Sequence, residues 1–189
     1  LQTITAEVIF LYEKYRRARN AAWQCLVNCN IKTLPVKLSQ ICSHYNSEVI
    51  ENSVLPTDSP YALAAEQRGK TVIENNRYYI IVRDTETYQA RRYTIAHELG
   101  HIIIPTDDEY EAERFAIGIL APACVLWGCD IHSADEISEI CNISKTAAEI
   151  RAKRMAVLYQ RNAFLKSSLE RRVYGQFADF IWEYKHDRS

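Results

Sequence analysis

From Thr87 onward the chain carries helical periodicity almost without a break, and Pro105 and Pro122 cut that run into segments. A proline lacks the backbone N–H that a helix interior needs, so each one ends the helix before it. The spacing predicts a helix over 87–104 and another over 108–120. Ser133-Ala134-Asp135-Glu136 reads as a capping box opening a third, and Ser144 as the N-cap of a fourth running through Arg154. A last helical segment is expected over 165–182.

Upstream, Ile4, Val8, Leu11, Tyr12 and Tyr15 have the spacing of an amphipathic helix over 3–19, followed by a second helical segment over 21–29. Leu34-Pro35 marks a turn, and Val36, Leu38, Ile41, Cys42 and Tyr45 suggest a short helix after it. Val49-Ile50 suits a strand, and 52–59, with Pro56 and Pro60 at hand, a loop. Residues 71–73 and 78–82 are rich in β-branched and aromatic side chains, and Asn75-Asn76 between them tolerates positive φ, so a hairpin is expected there. The fold class is α+β: a small antiparallel sheet beside a mainly helical body.

Composition narrows the function. At 189 residues, 48% hydrophobic and 25% charged, the chain matches an ordinary globular domain and can bury a core without a structural metal. A bound metal would then serve chemistry. The net charge of -1 creates no field that demands nucleic acid or membrane. The glycines stand too far apart for a dinucleotide-binding turn or a P-loop. The six cysteines form no C-x-x-C pair and sit among apolar neighbours, as buried thiols of a reducing cytoplasm do. The longest uncharged run, 115–129, is broken by Pro122 and is shorter than the roughly 20 residues a membrane span needs. Glu7, Glu13 and Lys14 interrupt any apolar region at the start, so no secretory signal is expected.

Within the 87–104 helix stands His97-Glu98-Leu99-Gly100-His101. Histidines at i and i+4 share one helix face, so both imidazoles can reach one Zn²⁺. Glu98, next to the first of them, is placed to take a proton from water activated by the metal, which also polarises a scissile carbonyl. In a chain of this composition the pattern arises by chance about 0.01 times. Its neighbours from Ile95 to Ile104 are apolar, so these polar side chains need partners, and a metal is the economical one.

A catalytic zinc wants a third protein ligand and an open position. Asp107 has the spacing of one known arrangement, but Ile104 occupies the place of the glycine on which that arrangement turns. The following helix offers Glu109, Glu111 and Glu113. Glu109 aligns with Ala112, Glu113, Ala116 and Leu120, the stripe expected to face the preceding helix, and is favoured; Glu111 is the fallback. Glu109 also fits a capping box with Thr106. Glu113, one turn on, is the candidate to orient a ligand histidine through its second ring nitrogen. Tyr93 lies one turn before His97 and is either an oxyanion donor or core packing.

At these residues the sequence resembles the ImmA/IrrE family of zinc metallopeptidase-like proteins. The family's H-E-x-G-H helix and its following E-x-[EQ]-A-[ND]-x-F-A-x-x-L-L-x-P segment are matched by Arg91 to His101 and by Glu109 to Pro122. Leu34 to Ile41 is similar to an early L-P-[VI]-x-L-x-x-I segment, and Asp135 to Arg151 to a later helix-turn-helix-like region. The likeness covers roughly residues 21–155. Glu113 departs from the usual Asn or Asp and adds negative charge near the metal, and Ile119-Leu120-Ala121 replaces L-L-M. The resemblance implies His97, His101 and Glu109 as zinc ligands, Glu98 as general base, and limited proteolysis of a helix-turn-helix transcriptional repressor. Residues 1–20 and 156–189 have no counterpart in the family; the organisation expected is an N-terminal helix over 1–20, a metallopeptidase-like unit over 21–130 and a helix-turn-helix-like C-terminal helical region over 131–189 packed on the same unit.

Residues 145–189 hold 10 basic and 5 acidic side chains, against a net of -6 over the rest. That surplus suits either nucleic acid or, as favoured here, a solvated helical pair packed on the core. His44, His132 and His186 lie outside any ligand spacing. The leading expectation is a cytoplasmic zinc endopeptidase. The alternatives are a non-proteolytic regulator that binds a repressor or DNA through the C-terminal helices, and a toxin-like or defence peptidase with several substrates.

Overall fold

In the computed structural model, which describes residues 6–187, the first helix, α1 (Ala6–Asn28), runs unbroken through the point at which two helices were expected. The start of the expected 3–19 helix, residues 3–5, lies outside the described residues. Continuity follows from burial: Ala18, Ala22, Cys25 and Leu26 form one buried stripe across the expected break. That stripe packs along α4 (Glu109–Leu120), in which Ala112, Phe115, Ala116 and Ile119 are fully buried. A Cβ at Gly118 would stand 2.9 Å from the Ala22 Cβ, so glycine permits the close approach of the two helices.

Helix α2 (Leu38–His44) leads into β1 (Ser47–Glu51), and β2 (Gly69–Glu74) and β3 (Arg77–Val82) form the expected hairpin. Asn75 and Asn76 take φ of 49° and 60°, the pair of positive values that a tight hairpin turn requires. The sheet is mixed, however, with strand order β1-β3-β2 and β1 parallel to β3. The expectation of an antiparallel sheet fails because 52–68 is a long connection: it carries the chain past β3 to the far edge, so β1 and β2 never pair. A short turn there would have made them antiparallel neighbours.

The remaining helices are α3 (Tyr88–Ile103), α5 (Ala123–Gly128), α6 (Ala134–Cys141), α7 (Lys145–Gln160), α8 (Ser168–Gln176) and α9 (Ala178–His186). Their starts are where the capping residues stand. Thr87, Asp108, Ser133 and Ser144 each accept a hydrogen bond from a backbone N–H of the first turn, and Ser133 with Glu136 completes a capping box. The final segment divides in two. Ser167 caps α8, and the chain leaves helical geometry at Phe177 before α9 begins. Helix α7 runs past Arg154 to Gln160.

All six cysteines are free and buried. Burial pushes the thiols of Cys124 and Cys141 up to about 12, so they stay neutral at ordinary pH. No helix among the described residues is long and apolar enough to cross a membrane.

Arg92, only 6% exposed, ties α3 to two distant segments. Its guanidinium donates to the carbonyls of Val36 (3.1 Å), Asn142 (3.2 Å) and Cys141 (3.5 Å). Arg92→Ala leaves those buried acceptors without donors and is expected to cost about 3 kcal/mol. Urea unfolding measures this, and a loss below about 1 kcal/mol would show that the three bonds carry little weight.

Candidate metal centre

Helix α3 presents His97 and His101 on one face, one turn apart, with ring centroids 4.8 Å from each other. Their Nε2 atoms approach to 3.1 Å. His101 Nδ1 lies 2.6 Å from the Thr106 carbonyl oxygen, which can only accept. Nδ1 therefore carries the proton, and the Nε2 lone pair is left facing His97. Glu109, on the first turn of α4, folds its carboxylate back over both rings, with oxygens 3.0 Å from His97 Nε2 and 3.5 Å from His101 Nε2. The ligand atoms of His97, His101 and Glu109 lie within 4.8 Å of one another.

The link between α3 and α4 makes this convergence possible. Gly100 lies at the helix crossing, where an added Cβ would stand 3.0 Å from the Ala112 Cα, so a larger residue would push α4 and Glu109 outward. The intervening loop is pinned from the side by α1. Arg17 donates to the Ile104 carbonyl at 2.8 Å, and Lys14 pairs with Asp108. Asp108 accepts from the Glu111 backbone N–H at 3.1 Å, which starts α4 at Glu109.

Three oxygen and nitrogen donors that meet in this way fit a divalent cation. Two imidazoles and one carboxylate are a zinc-type set, and the 3.1 Å separation of the nitrogens is close to the roughly 3.3 Å edge of a tetrahedron with bonds of about 2.0 Å. Nitrogen and carboxylate lone pairs brought together this closely repel unless a proton or a cation lies between them.

Glu98 is buried beside the cluster at 8% exposure, and its Oε2 accepts from the Thr71 hydroxyl of β2 at 2.8 Å. His97, Glu98, His101, Glu109 and Tyr93 line one cavity of about 760 Å³, into which Gly69 and Thr71 also open. Tyr93 stands with its ring 6.3 Å from that of His97, and burial, with the Glu113 carboxylate second, holds its hydroxyl pKa above the ordinary value. It keeps its proton and remains a donor.

The other candidates stand elsewhere. Asp107 lies on the cavity wall but outside the converging set. Glu111 is 2% exposed and turned toward α1, where its Oε2 accepts from the Thr106 hydroxyl (2.9 Å) and pairs with Arg17 (3.3 Å). It clamps the loop and stands outside the converging set. Glu113 pairs with Arg114 at 3.3 Å and bonds neither histidine; His97 Nδ1 is buried with no hydrogen-bond partner among the described residues. The cap of α4 is Asp108, in place of the box expected between Thr106 and Glu109. Thr106, whose carbonyl sets the His101 tautomer, and Thr71, which holds Glu98, were not anticipated. A backbone carbonyl has no sequence signature, and Thr71 reaches the site through the sheet.

Comparison with protein-family models, curated proteins and solved structures found no match to this chain.

The geometry separates two acids that sequence left in competition. Glu109→Ala is expected to weaken zinc binding by more than roughly 100-fold. Glu111→Gln should keep one zinc site per chain and lose about 1–3 kcal/mol of stability. Competition with a chromophoric chelator and thermal melting read the two effects, and the reverse pattern would exchange the roles.

The bond from Lys14, with the Glu111 backbone N–H second, holds the Asp108 carboxyl below its ordinary range. A carboxyl with a lowered folded pKa stabilises the fold above its unfolded value of about 4 and loses that contribution as pH falls through the folded value. Asp108→Asn should therefore be less stable than the parent at neutral pH and show a flatter acid limb below about pH 4. Parallel acid limbs in chemical denaturation would remove this role.

Proposed function

We propose that this chain is a zinc-dependent endopeptidase of the ImmA/IrrE type that works in the cytoplasm and cleaves a helix-turn-helix transcriptional repressor. The observation that carries the reading is the meeting of His97, His101 and Glu109 at one point, with the Glu98 carboxylate on the wall of the same open cavity. The substrate class comes from the sequence resemblance, and the location from the thiols, which would persist in reduced form in a reducing compartment.

His97, His101 and Glu109 would hold the zinc, which when bound supplies Lewis-acid polarisation of water and of the scissile carbonyl. Glu98 acts as the proton carrier. The Thr71 hydroxyl occupies its Oε2, fixing the side chain, and Oε1 is left to accept a proton from the attacking water and return it to the leaving amine. Low exposure keeps bulk water from competing for that proton. The Tyr93 hydroxyl, protonated and lining the same cavity, is available to donate to the oxygen that gains charge during attack.

Glu98→Gln preserves size and the ability to accept from Thr71 but removes the base. It should retain zinc and lower kcat/KM for a cognate repressor by about 10²- to 10⁴-fold. Time-resolved gel analysis of repressor cleavage measures this. Equal cleavage by parent and variant would reject Glu98 as the base, and stable binding of repressor or DNA by a zinc-loaded parent that never cuts would favour a non-proteolytic regulator.

A further inference from the structure

The basic surplus of the C-terminal region does not simply face solvent. Between α1, α4, α7 and α8 lies a cavity of about 380 Å³ whose wall carries Arg19, Arg114, Arg151, Arg154, Arg161 and Lys166 against one carboxylate, Glu170. Glu170 is already engaged: its Oε2 accepts from the Lys166 backbone N–H at 3.0 Å. Among the described residues no carboxylate forms an ion pair with Arg19, Arg151, Arg154, Arg161 or Lys166.

Arg151 is 7% exposed, and its one acceptor among the described residues is the Ala121 carbonyl. The Nε atoms of Arg114, Arg151 and Arg154 are all buried without a hydrogen-bond partner among the described residues, as is Trp23 Nε1. A guanidinium presents five donors, so this wall holds far more donors than the protein supplies acceptors for. Desolvation also drives the Arg151 pKa downward, the mark of a cation buried without enough counter-charge. Two of the cations are held in place by their faces: Arg19 stacks 4.7 Å over Trp23 and Arg154 5.3 Å over Tyr15. Stacking uses the flat face; Arg19 spends Nε and one terminal nitrogen on Asn20 Oδ1 (3.2 and 3.0 Å), whereas the Arg154 Nε has no acceptor among the described residues.

We infer that this cavity binds a small oligophosphate anion, either free or as the phosphate chain of a nucleotide. Fixed guanidinium forks match phosphoryl oxygens, and the excess of cations over one carboxylate asks for several negative charges. The volume lies near the lower end of small-molecule sites, enough for such a group and too enclosed for a duplex. Tyr12, 57% exposed at the wall, offers a ring face to a base where the phosphate chain carries one.

Calorimetric titration of the full chain in phosphate-free buffer, with sodium tripolyphosphate and with ATP as probes, tests the site. Saturable binding of either supports it; tighter binding of ATP identifies a nucleotide, and equal binding identifies the phosphate chain alone. The double variant Arg154→Gln/Arg161→Gln should bind at least about tenfold more weakly. Lys166→Gln, at an exposed position, should lose affinity in the same direction even where the double variant proves unstable. The His97→Ala/His101→Ala variant should bind as the parent does, which separates this cavity from phosphate coordination at the metal centre. The inference is overturned by absence of saturable binding, by parental affinity in the folded arginine or lysine variants, by loss of binding in the histidine variant, or by a short single-stranded oligonucleotide binding more tightly than both probes.

Discussion

The crossing of α3 and α4 at Gly100 and Ala112 is the constraint on which the candidate centre depends. Two histidines one turn apart are a property of one helix and need only its regularity. The carboxylate over them comes from a second helix, and its reach is set by how near the axes come. The Gly100 Cα admits the Ala112 backbone at a distance that a side chain would not allow. Glu109 can thus be 74% exposed and still touch both imidazoles, because its backbone is already over the site.

A close crossing does not by itself fix the loop that joins the two helices. That role falls to α1, far away in sequence. Arg17 holds the Ile104 carbonyl and Glu111, while Lys14 holds Asp108. The Thr106 carbonyl then lies where it accepts from His101, and the tautomer of a candidate ligand is decided by a loop anchored from outside the motif. Helix α1, remote in sequence from the motif, is mechanically part of the centre.

Much of this was legible in sequence where the cause was local. Capping residues placed the starts of α6 and α7, since a cap acts within one turn. Asn75-Asn76 placed the hairpin for the same reason. The parallel pairing of β1 was not legible, because it depends on the path of 52–68. The roles of the acids on α4 divided likewise. Periodicity chose Glu109 by the stripe facing α3, yet α4 is buried on two sides, and Glu111 belongs to the side covered by α1. A stripe seen in one helix cannot say which of two partners covers it.

The same reasoning applies to charge. A count of basic residues over 145–189 treats each as a surface group, and on that view a solvated face is the ordinary outcome. Burial changes the question from where the charges point to what balances them. Arg92 is balanced by three carbonyls, and Arg17 by a carbonyl and a carboxylate. Among the described residues Arg151 has one carbonyl, and of the arginines around it only Arg114 pairs with a carboxylate, that of Glu113. A fold that satisfies the buried guanidinium of Arg92 and leaves a cluster of others undersupplied around a cavity has an energetic reason to take up an anion there.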